Sequence, residues 1–129
     1  MSGETILLID DDVTLCELLT SYLQTAGYQI VSAPNGSGGL RLAAEITTDL
    51  VVLDLMMPGM TGWEVCERLR GKDALPGRHD PIPIILLTAK SEELDKLRGF
   101  RLGVDDYVSK PFSFAELAAR VGAVLNRAR

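Results

Sequence analysis

The sequence predicts a doubly wound α/β domain, in which helices cover both faces of a five-stranded parallel sheet. Strand-like and helix-like patterns alternate from end to end of the 129-residue chain. The strand-like runs are continuously apolar rather than alternating, which is typical of strands buried on both faces. The length suits one domain, and a content of 47% hydrophobic residues is enough for its core. We therefore expect residues 1–129 to form a single domain.

The first half of the chain supplies two strands and two helices. Ile6–Ile9 is the first apolar run, and three aspartates end it. A helix is expected next, because an apolar stripe recurs there at helical spacing. Gly27 ends this helix. The stripe consists of Leu15, Leu18, Leu19, Tyr22 and Leu23. Ile30–Ala33 is a short second strand. A weaker helix is expected from about Ser37 to Ile46, since its early glycines cost helix stability.

The third apolar run, Leu50–Leu53, leads straight into Asp54, and a Pro-Gly turn follows shortly after. In open α/β sheets the functional site lies beyond the carboxyl ends of the strands, so Asp54 is placed for chemistry. Thr61 and Glu64 fit a capping box that begins the third helix. We expect Trp63, in the first turn of that helix, to be a half-exposed packing residue.

The second half of the chain continues the alternation. A polar, proline-rich loop, Asp73–Pro83, precedes the fourth strand, Ile84–Leu87, and Thr88 ends that strand. A helix is expected from about Ser91 to Leu102. Val104–Val108 is shorter and more polar, as suits an edge strand.

The last helix follows Lys110 and Pro111. Ser113 and Glu116 fit a second capping box, and apolar residues at helical spacing continue to about Arg127. The chain therefore contains five predicted strands and five predicted helices.

Composition excludes several classes of function. A net charge of −5 argues against direct contact with nucleic acid, which requires a basic face. No apolar run is long enough to cross a bilayer, and the N-terminus lacks a signal-peptide pattern. Cys16 and Cys66 have no metal-ligand spacing and are expected to be reduced, largely buried residues. We expect a cytoplasmic protein with no membrane contact.

Polar side chains end four of the strands, and we expect them to share one pocket. Asp10 and Asp11 follow the first strand, Asp54 the third, Thr88 the fourth and Lys110 the fifth. In the strand order 2-1-3-4-5, which the alternation alone does not fix, the first and third strands are neighbours and their carboxylates face each other. Mutually repelling carboxylates suit a hard divalent cation such as Mg²⁺, or Mn²⁺.

Such a pocket is suited to a phosphoryl group. Lys110 supplies a positive charge and Thr88 a hydroxyl donor, while a carboxylate is the one apt acceptor and can form an acyl phosphate. Each feature alone has a structural explanation, because Asp12 or Thr88 can cap a helix and Lys110 can be a solvated charge. Their convergence from four strand ends favours a functional site.

Four motifs in this sequence resemble those of the receiver domains of two-component response regulators. They are Leu8–Asp12, Leu53–Gly62, Leu87–Lys90 and Gly103–Phe112, and the match covers essentially the whole chain. The last third is most similar to the transcription-factor subfamily with a winged-helix DNA-binding domain (OmpR/PhoB-like). The resemblance implies a flavodoxin-like (βα)5 fold and a phosphorylation-controlled switch in phosphorelay signal transduction, not a metabolic enzyme.

The resemblance also implies roles for the pocket residues. Asp54 would be the phosphoacceptor, receiving its phosphoryl group from a sensor histidine kinase. Asp10 and Asp11 would hold the metal ion together with Asp54, and the backbone carbonyl of Met56 would be a further ligand. An apolar Met56 side chain cannot hold an attacking water, so we expect slow self-dephosphorylation.

The same resemblance assigns the other side of the pocket. Lys110 and Thr88 would contact the phosphoryl group. Thr88 and Tyr107 would form a switch pair, in which the hydroxyl swings toward the phosphoryl oxygen and the ring moves inward into the space that it leaves. The peptide bond between Lys110 and Pro111 is expected to be cis.

Members of the subfamily form homodimers on phosphorylation through the fourth helix, fifth strand and fifth helix. Four residues match positions of intersubunit salt bridges: Lys96 with Glu116, and Asp106 with Arg120. Gly122 and Arg101 depart from the subfamily, which often has a basic and an acidic residue, respectively, at these two positions.

Three other interpretations remain open. The chain is either the N-terminal part of a longer regulator or a stand-alone receiver that signals by docking, and residues past Arg129 would decide between them. A metal-dependent phosphohydrolase would require a second acid at Met56. A flavodoxin-like cofactor binder would require a phosphate-binding loop where three aspartates stand.

Overall fold

A computed structural model describes residues 3–71, 75–76, 80–89 and 101–128 of the chain. Its strands are β1 (Thr5–Ile9), β2 (Gln29–Ala33), β3 (Leu50–Asp54), β4 (Ile84–Thr88) and β5 (Asp106–Ser109). Its helices are α1 (Val13–Thr25), α2 (Gly36–Glu45), α3 (Gly62–Leu69) and a C-terminal helix (Phe114–Arg127). All the strand pairs are parallel, and the order β2-β1-β3-β4-β5 confirms the predicted topology.

The core consists of two layers, one on each face of the sheet. Alternate residues of a strand point to opposite faces, so Leu7 and Ile9 join the layer beneath α2 and α3. Ile6 and Leu8 join the layer beneath α1 and the C-terminal helix. The central strands β1, β3 and β4 are buried along nearly their whole length, as continuous apolar runs predict.

Side-chain caps fix where the helices begin, and therefore where the strand ends are left open. Asp12, Asn35, Thr61 and Ser113 each accept a hydrogen bond from a backbone amide in the first turn of their helix. The capping box at Thr61 is complete, as predicted. At Ser113 the hydroxyl accepts the Glu116 amide, which is one half of the predicted box, and the Glu116 carboxylate accepts from Arg120.

Two packing expectations were wrong. Leu18 and Tyr22 do not belong to the buried stripe of α1, since Leu18 is 54% exposed and Cys16 takes an inward position. The Tyr22 ring instead packs edge-on against Phe114 of the C-terminal helix, 5.7 Å between ring centroids. Trp63 is 6% exposed and belongs to the core beneath α3, so it is not half-exposed.

Helix α2 begins at Gly36, one residue earlier than predicted, because the Asn35 side chain caps it there, and its glycines permit close packing. A Cβ on Gly39 would lie 2.4 Å from the Ile9 side chain of β1. A Cβ on Gly36 would lie 2.6 Å from Val65 of α3. Gly39, which weakens this helix in isolation, thus lets it approach β1, and Gly36 lets it approach α3.

Several predictions lie outside the described residues. The helix expected from about Ser91 to Leu102 is described only at Arg101 and Leu102, which are helical. Lys90, Lys96 and residues 73–74 and 77–79 of the predicted loop also lie outside the described part. Among the residues described, no helix is both long and apolar enough to span a bilayer.

Arg70, at the end of α3, connects the segments that precede β4 and β5, at the edge of the sheet where the strands begin. Its guanidinium donates hydrogen bonds to the carbonyls of Ile82, Leu102 and Gly103, the last two at 3.0 Å each. It also lies 3.8 Å from the carboxylate of Asp105. Since Leu102 and Gly103 stand where helical backbone ends, Arg70 supplies donors for carbonyls that have no partner within a helix.

We predict that Arg70→Ala lowers the free energy of unfolding by about 2–3 kcal/mol, because several carbonyls and one carboxylate lose a charged donor at once. Urea denaturation measures the change. The control is Arg68→Ala, an exposed residue in the same helix, which should cost no more than about 0.5 kcal/mol. Equal effects of the two substitutions would show that the Arg70 contacts contribute nothing beyond surface charge.

Candidate functional site

The polar residues that end the strands come together at one edge of the sheet. Asp54 ends β3, Thr88 ends β4, and Asp10 and Lys110 each come directly after a strand. Parallel strands in the observed order bring these ends side by side. The backbone amide of Lys110 donates to the carbonyl of Thr88 at 2.6 Å, which fixes the loop after β5 against the end of β4.

Three carboxylates form the acidic half of the site. Asp10, Asp11 and Asp54 each place an oxygen so that all three atoms lie within 4.8 Å of one another. Asp10 and Asp54 are buried, whereas Asp11 is exposed. Two buried carboxylates on neighbouring strands repel each other, and each loses hydration, so the arrangement is costly without a nearby cation.

Lys110 supplies one such cation. Its Nζ lies 3.2 Å from Asp10 Oδ2 and 3.4 Å from Asp54 Oδ1, so it bridges the two buried carboxylates. The peptide bond between Lys110 and Pro111 is cis, in agreement with the expectation.

Local hydrogen bonds orient Asp10 and separate Asp12 from the site. The amide of Asp12 donates to Asp10 Oδ1 at 3.0 Å, and the Cys16 thiol donates to the Asp10 carbonyl at 3.4 Å. The Asp12 carboxylate instead accepts the amide of Leu15 and caps α1. The role of Cys16 was missed from the sequence, since nothing in its spacing marks a contact with the acidic pair.

The pocket around Asp54 contains more negative than positive charge. Burial, together with the charge of Asp10, raises the pKa of the Asp54 carboxyl from its ordinary value near 3.8 to about 6, although Lys110 opposes the shift. For Lys110, burial works against the charged form, but the two carboxylates outweigh burial and raise the pKa of the ammonium group. Lys110 is therefore a fixed positive charge, and the acidic cluster retains an excess of negative charge.

Thr88 offers an unused donor. Its hydroxyl is buried and has no hydrogen-bond partner among the described residues. Its neighbour in register on β5 is Ser109, while Tyr107 pairs with Leu86 and packs its half-buried ring against the core beneath α3. A buried hydroxyl without a partner costs free energy, so Thr88 has a donor available for a group that enters the pocket.

Gly62 is a site residue that sequence reasoning missed. A Cβ at this position would lie 2.5 Å from the Asp54 carbonyl and 2.7 Å from the Leu55 Cα. The Gly62 amide also donates to the Leu55 carbonyl at 2.9 Å, so the start of α3 rests directly on the backbone behind the carboxylate. A glycine at the first position of a capped helix was the available signal, but the close approach depends on tertiary packing.

The donor set fits a hard divalent cation. Carboxylate oxygens are the ligands that Mg²⁺ prefers, and an exposed Asp11 leaves one side open for the waters that Mg²⁺ keeps. Such an ion would neutralise the charge excess that Lys110 leaves. The described residues thus place three carboxylates that could hold a divalent cation next to a lysine and a hydroxyl without a partner.

The residues assigned to an intersubunit face are paired within one chain. Arg120 Nη1 lies 3.0 and 3.1 Å from the two carboxylate oxygens of Asp106, and its other nitrogens lie 3.4 Å from Glu116 Oε2. Lys96 lies outside the described residues. The Asp106–Arg120 pair is therefore available to a monomer as well as to a dimer.

Comparison with known proteins agrees with this geometry. The sequence profile of the response regulator receiver domain matches residues 6–122. The chain is 46% identical over 123 residues to the transcriptional regulatory protein ResD of Bacillus subtilis, covering 95% of this chain and 48% of that protein. It is 43% identical over 127 residues to the phosphate regulon transcriptional regulatory protein PhoB of Pseudomonas aeruginosa, covering 98% of this chain and 54% of that protein. The chain thus spans about half the length of the curated relatives it matches.

A solved structure gives the same result. The response regulator protein TrrA of Thermotoga maritima, in complex with Mg(2+)-BeF, matches with a TM-score of 0.80 at 38% identity. The match covers 94% of this chain and 98% of that one.

We predict that Asp54→Asn stabilises the metal-free protein at neutral pH. The wild-type carboxyl is protonated in both states below about pH 4, but above about pH 6 it is charged in the folded state at a cost. The rise in the Asp54 pKa from 3.8 to about 6 corresponds to about 2–3 kcal/mol, which the variant gains as the pH rises from 4 to 7. Urea denaturation with a chelator present measures it. The control is Asp12→Asn, which keeps a good cap; a pH-independent Asp54→Asn difference would contradict the account.

We predict that Gly62→Ala destabilises the fold by about 2–3 kcal/mol, because its Cβ would displace the backbone of Asp54. Thermal unfolding measures the change. The matched control is Gly122→Ala in the C-terminal helix, where the nearest atom is the Tyr28 hydroxyl at an ordinary 3.7 Å. That substitution should stabilise the protein by about 0.5–1 kcal/mol. A neutral Gly62→Ala would show that the contact with Asp54 is not tight.

Proposed function

The chain belongs to the family of response regulator receiver domains, with OmpR/PhoB-type transcriptional regulators among its relatives, and on that premise we propose that Asp54 accepts a phosphoryl group from a histidine kinase. The observation that carries the proposal is the bridge of Lys110 between Asp10 and Asp54 beside an unpartnered Thr88 hydroxyl. These groups surround one carboxylate with charge and donors that suit a phosphoryl group.

Asp54 is the nucleophile of this transfer. A carboxylate oxygen of Asp54 forms a bond to phosphorus as the bond between phosphorus and the kinase imidazole nitrogen breaks, and the nitrogen leaves with its electron pair. No protein base is required, because the nucleophile is ionised at neutral pH even with a pKa of about 6. The chain catalyses this step on itself and is not a metabolic enzyme.

Asp10, Asp11 and Asp54 would hold Mg²⁺, or Mn²⁺, together with the backbone carbonyl of Met56. The support is the mutual distance of the three carboxylates and the excess of negative charge that one lysine leaves. The ion supplies charge neutralisation for the incoming phosphoryl oxygens. Without such neutralisation, the acidic cluster would repel a phosphoryl group.

Lys110 and Thr88 bind the transferred group on its other side. Lys110 already lies 3.4 Å from Asp54 Oδ1, and the Thr88 hydroxyl has a hydrogen to donate. Satisfying that hydroxyl draws Thr88 toward the phosphoryl group, and the ring of Tyr107 follows into the released space. Thr88 and Tyr107 thus report phosphorylation to the surface that contains β5 and the C-terminal helix.

The output is the control of transcription by a longer regulator of which residues 1–129 are the receiver. The support is the share of ResD and PhoB that the chain covers, about half of each. The phosphorylated form pairs with a second copy in the cytoplasm through Lys96, Asp106, Glu116 and Arg120. The rest of the regulator would contact DNA, because this chain carries a net charge of −5 and would be repelled by the phosphates.

The proposal is tested with Mg²⁺ and acetyl phosphate, a small phosphoryl donor, followed by intact mass and light scattering. We expect the mass of one phosphoryl group in the wild type and none in Asp54→Ala or in a chelator. Asp12→Asn serves as the control for general loss of an acidic residue. Phosphoryl gain in Asp54→Ala, or steady turnover of p-nitrophenyl phosphate, would contradict the proposal.

We predict that Met56→Asn shortens the lifetime of the phosphorylated form by about three- to tenfold, because an amide holds a water that a thioether does not. Loss of phosphoryl mass over time measures it. Met56→Leu, which stays apolar, should match the wild type. A Met56→Asn lifetime equal to that of the wild type would contradict a role for this side chain.

A further inference from the structure

Met56 is an apolar side chain that the fold leaves in solvent. It is 68% exposed, the most exposed large hydrophobic side chain among the described residues. Within Leu50–Met57 every other residue is buried, including Leu55 and Met57 on either side of it. Burial encloses the neighbours of Met56, whereas the Met56 sulfur is open to solvent and to small dissolved reagents.

The other sulfur atoms in the described part of the chain are protected. Burial, together with nearby carboxylates, raises the pKa of the Cys16 thiol to about 11, and burial also raises the pKa of Cys66. Both thiols therefore stay protonated and enclosed, which makes them poor nucleophiles toward oxidants. Met57 is 6% exposed, and Met60 is partly buried against the core beneath α3.

We propose that Met56 is an oxidation site through which peroxide shortens the lifetime of the phosphorylated state. The inference rests on the proposed function of Asp54. Hydrogen peroxide transfers one oxygen atom to the Met56 sulfur and leaves as water; the sulfur is oxidised to the sulfoxide and the peroxide is reduced. No further co-reactant is required.

The consequence follows from the position of Met56 two residues after Asp54. A thioether is a weak hydrogen-bond acceptor, whereas a sulfoxide oxygen is a strong one that holds water. Oxidation thus places an ordered water on the solvent side of the loop that follows the acyl phosphate. Water is the reactant that removes the phosphoryl group, so the modified protein returns faster to the unphosphorylated state.

The side chain can change without disturbing the fold. Because Met56 contributes little buried area, its oxidation should leave the stability of the domain unchanged, unlike oxidation of Met57. The receiver would then respond to an oxidant by losing its phosphoryl signal, not by unfolding.

The test uses the whole chain, treated with dilute hydrogen peroxide, then loaded with Mg²⁺ and acetyl phosphate. Peptide mapping should find one added oxygen at residue 56 before any at Met57, Met60 or the cysteines. Loss of phosphoryl mass should be about three- to tenfold faster than in untreated protein, the range expected for one added hydrogen bond to water. Methionine sulfoxide reductase should restore the original lifetime.

Met56→Leu is the matched control, since it keeps an apolar side chain that peroxide cannot oxidise; its lifetime should not respond to treatment. Met56→Gln should lose phosphoryl groups quickly without peroxide. An unchanged lifetime in protein oxidised at residue 56, or oxidation of a cysteine before Met56, would overturn this inference alone. Failure of untreated protein to accept a phosphoryl group would overturn the proposed function and this inference with it.

Discussion

The bridge of Lys110 between Asp10 and Asp54 is the interaction on which the site depends. One ammonium group, 3.2 and 3.4 Å from two buried carboxylates on neighbouring strands, makes their burial tolerable without removing their negative charge. With Asp11 close by, three negative charges face one fixed positive charge. Burial and the remaining charge imbalance raise the pKa of Asp54, and three carboxylates of this kind suit a hard divalent cation.

Close backbone packing fixes the positions of these charged residues. Parallel strands in the order β2-β1-β3-β4-β5 bring the carboxyl ends of β1 and β3 together, and β5 carries Lys110 to the same edge. Behind Asp54, the absence of a side chain at Gly62 lets α3 rest on the loop backbone. At the far end of the same helix, Arg70 fastens the turn that leads to β5. The backbone around Asp54 is thus held by packing and hydrogen bonds that do not neutralise the Asp54 carboxylate.

Local sequence signals predicted the strands, most helix ends and the polar strand ends, because apolar runs and capping residues act over a few positions. The sequence did not predict contacts between distant elements. The apolar stripe of α1 suggested that Leu18 and Tyr22 are buried, but their partners depend on where the C-terminal helix lies. For the same reason the burial of Trp63 was misjudged and the contact of Gly62 was missed, since periodicity does not reveal how closely a helix approaches a sheet.

The central claim is that Asp54 itself becomes the acyl phosphate, and borohydride trapping tests it most directly. Borohydride reduces an acyl phosphate to an alcohol, so the labelled residue is read as homoserine by peptide sequencing. After loading with Mg²⁺ and acetyl phosphate, we expect homoserine at position 54 and aspartate at positions 10, 11 and 12. Homoserine at any of those three positions, or at none, would contradict the assignment of Asp54 as the phosphoacceptor.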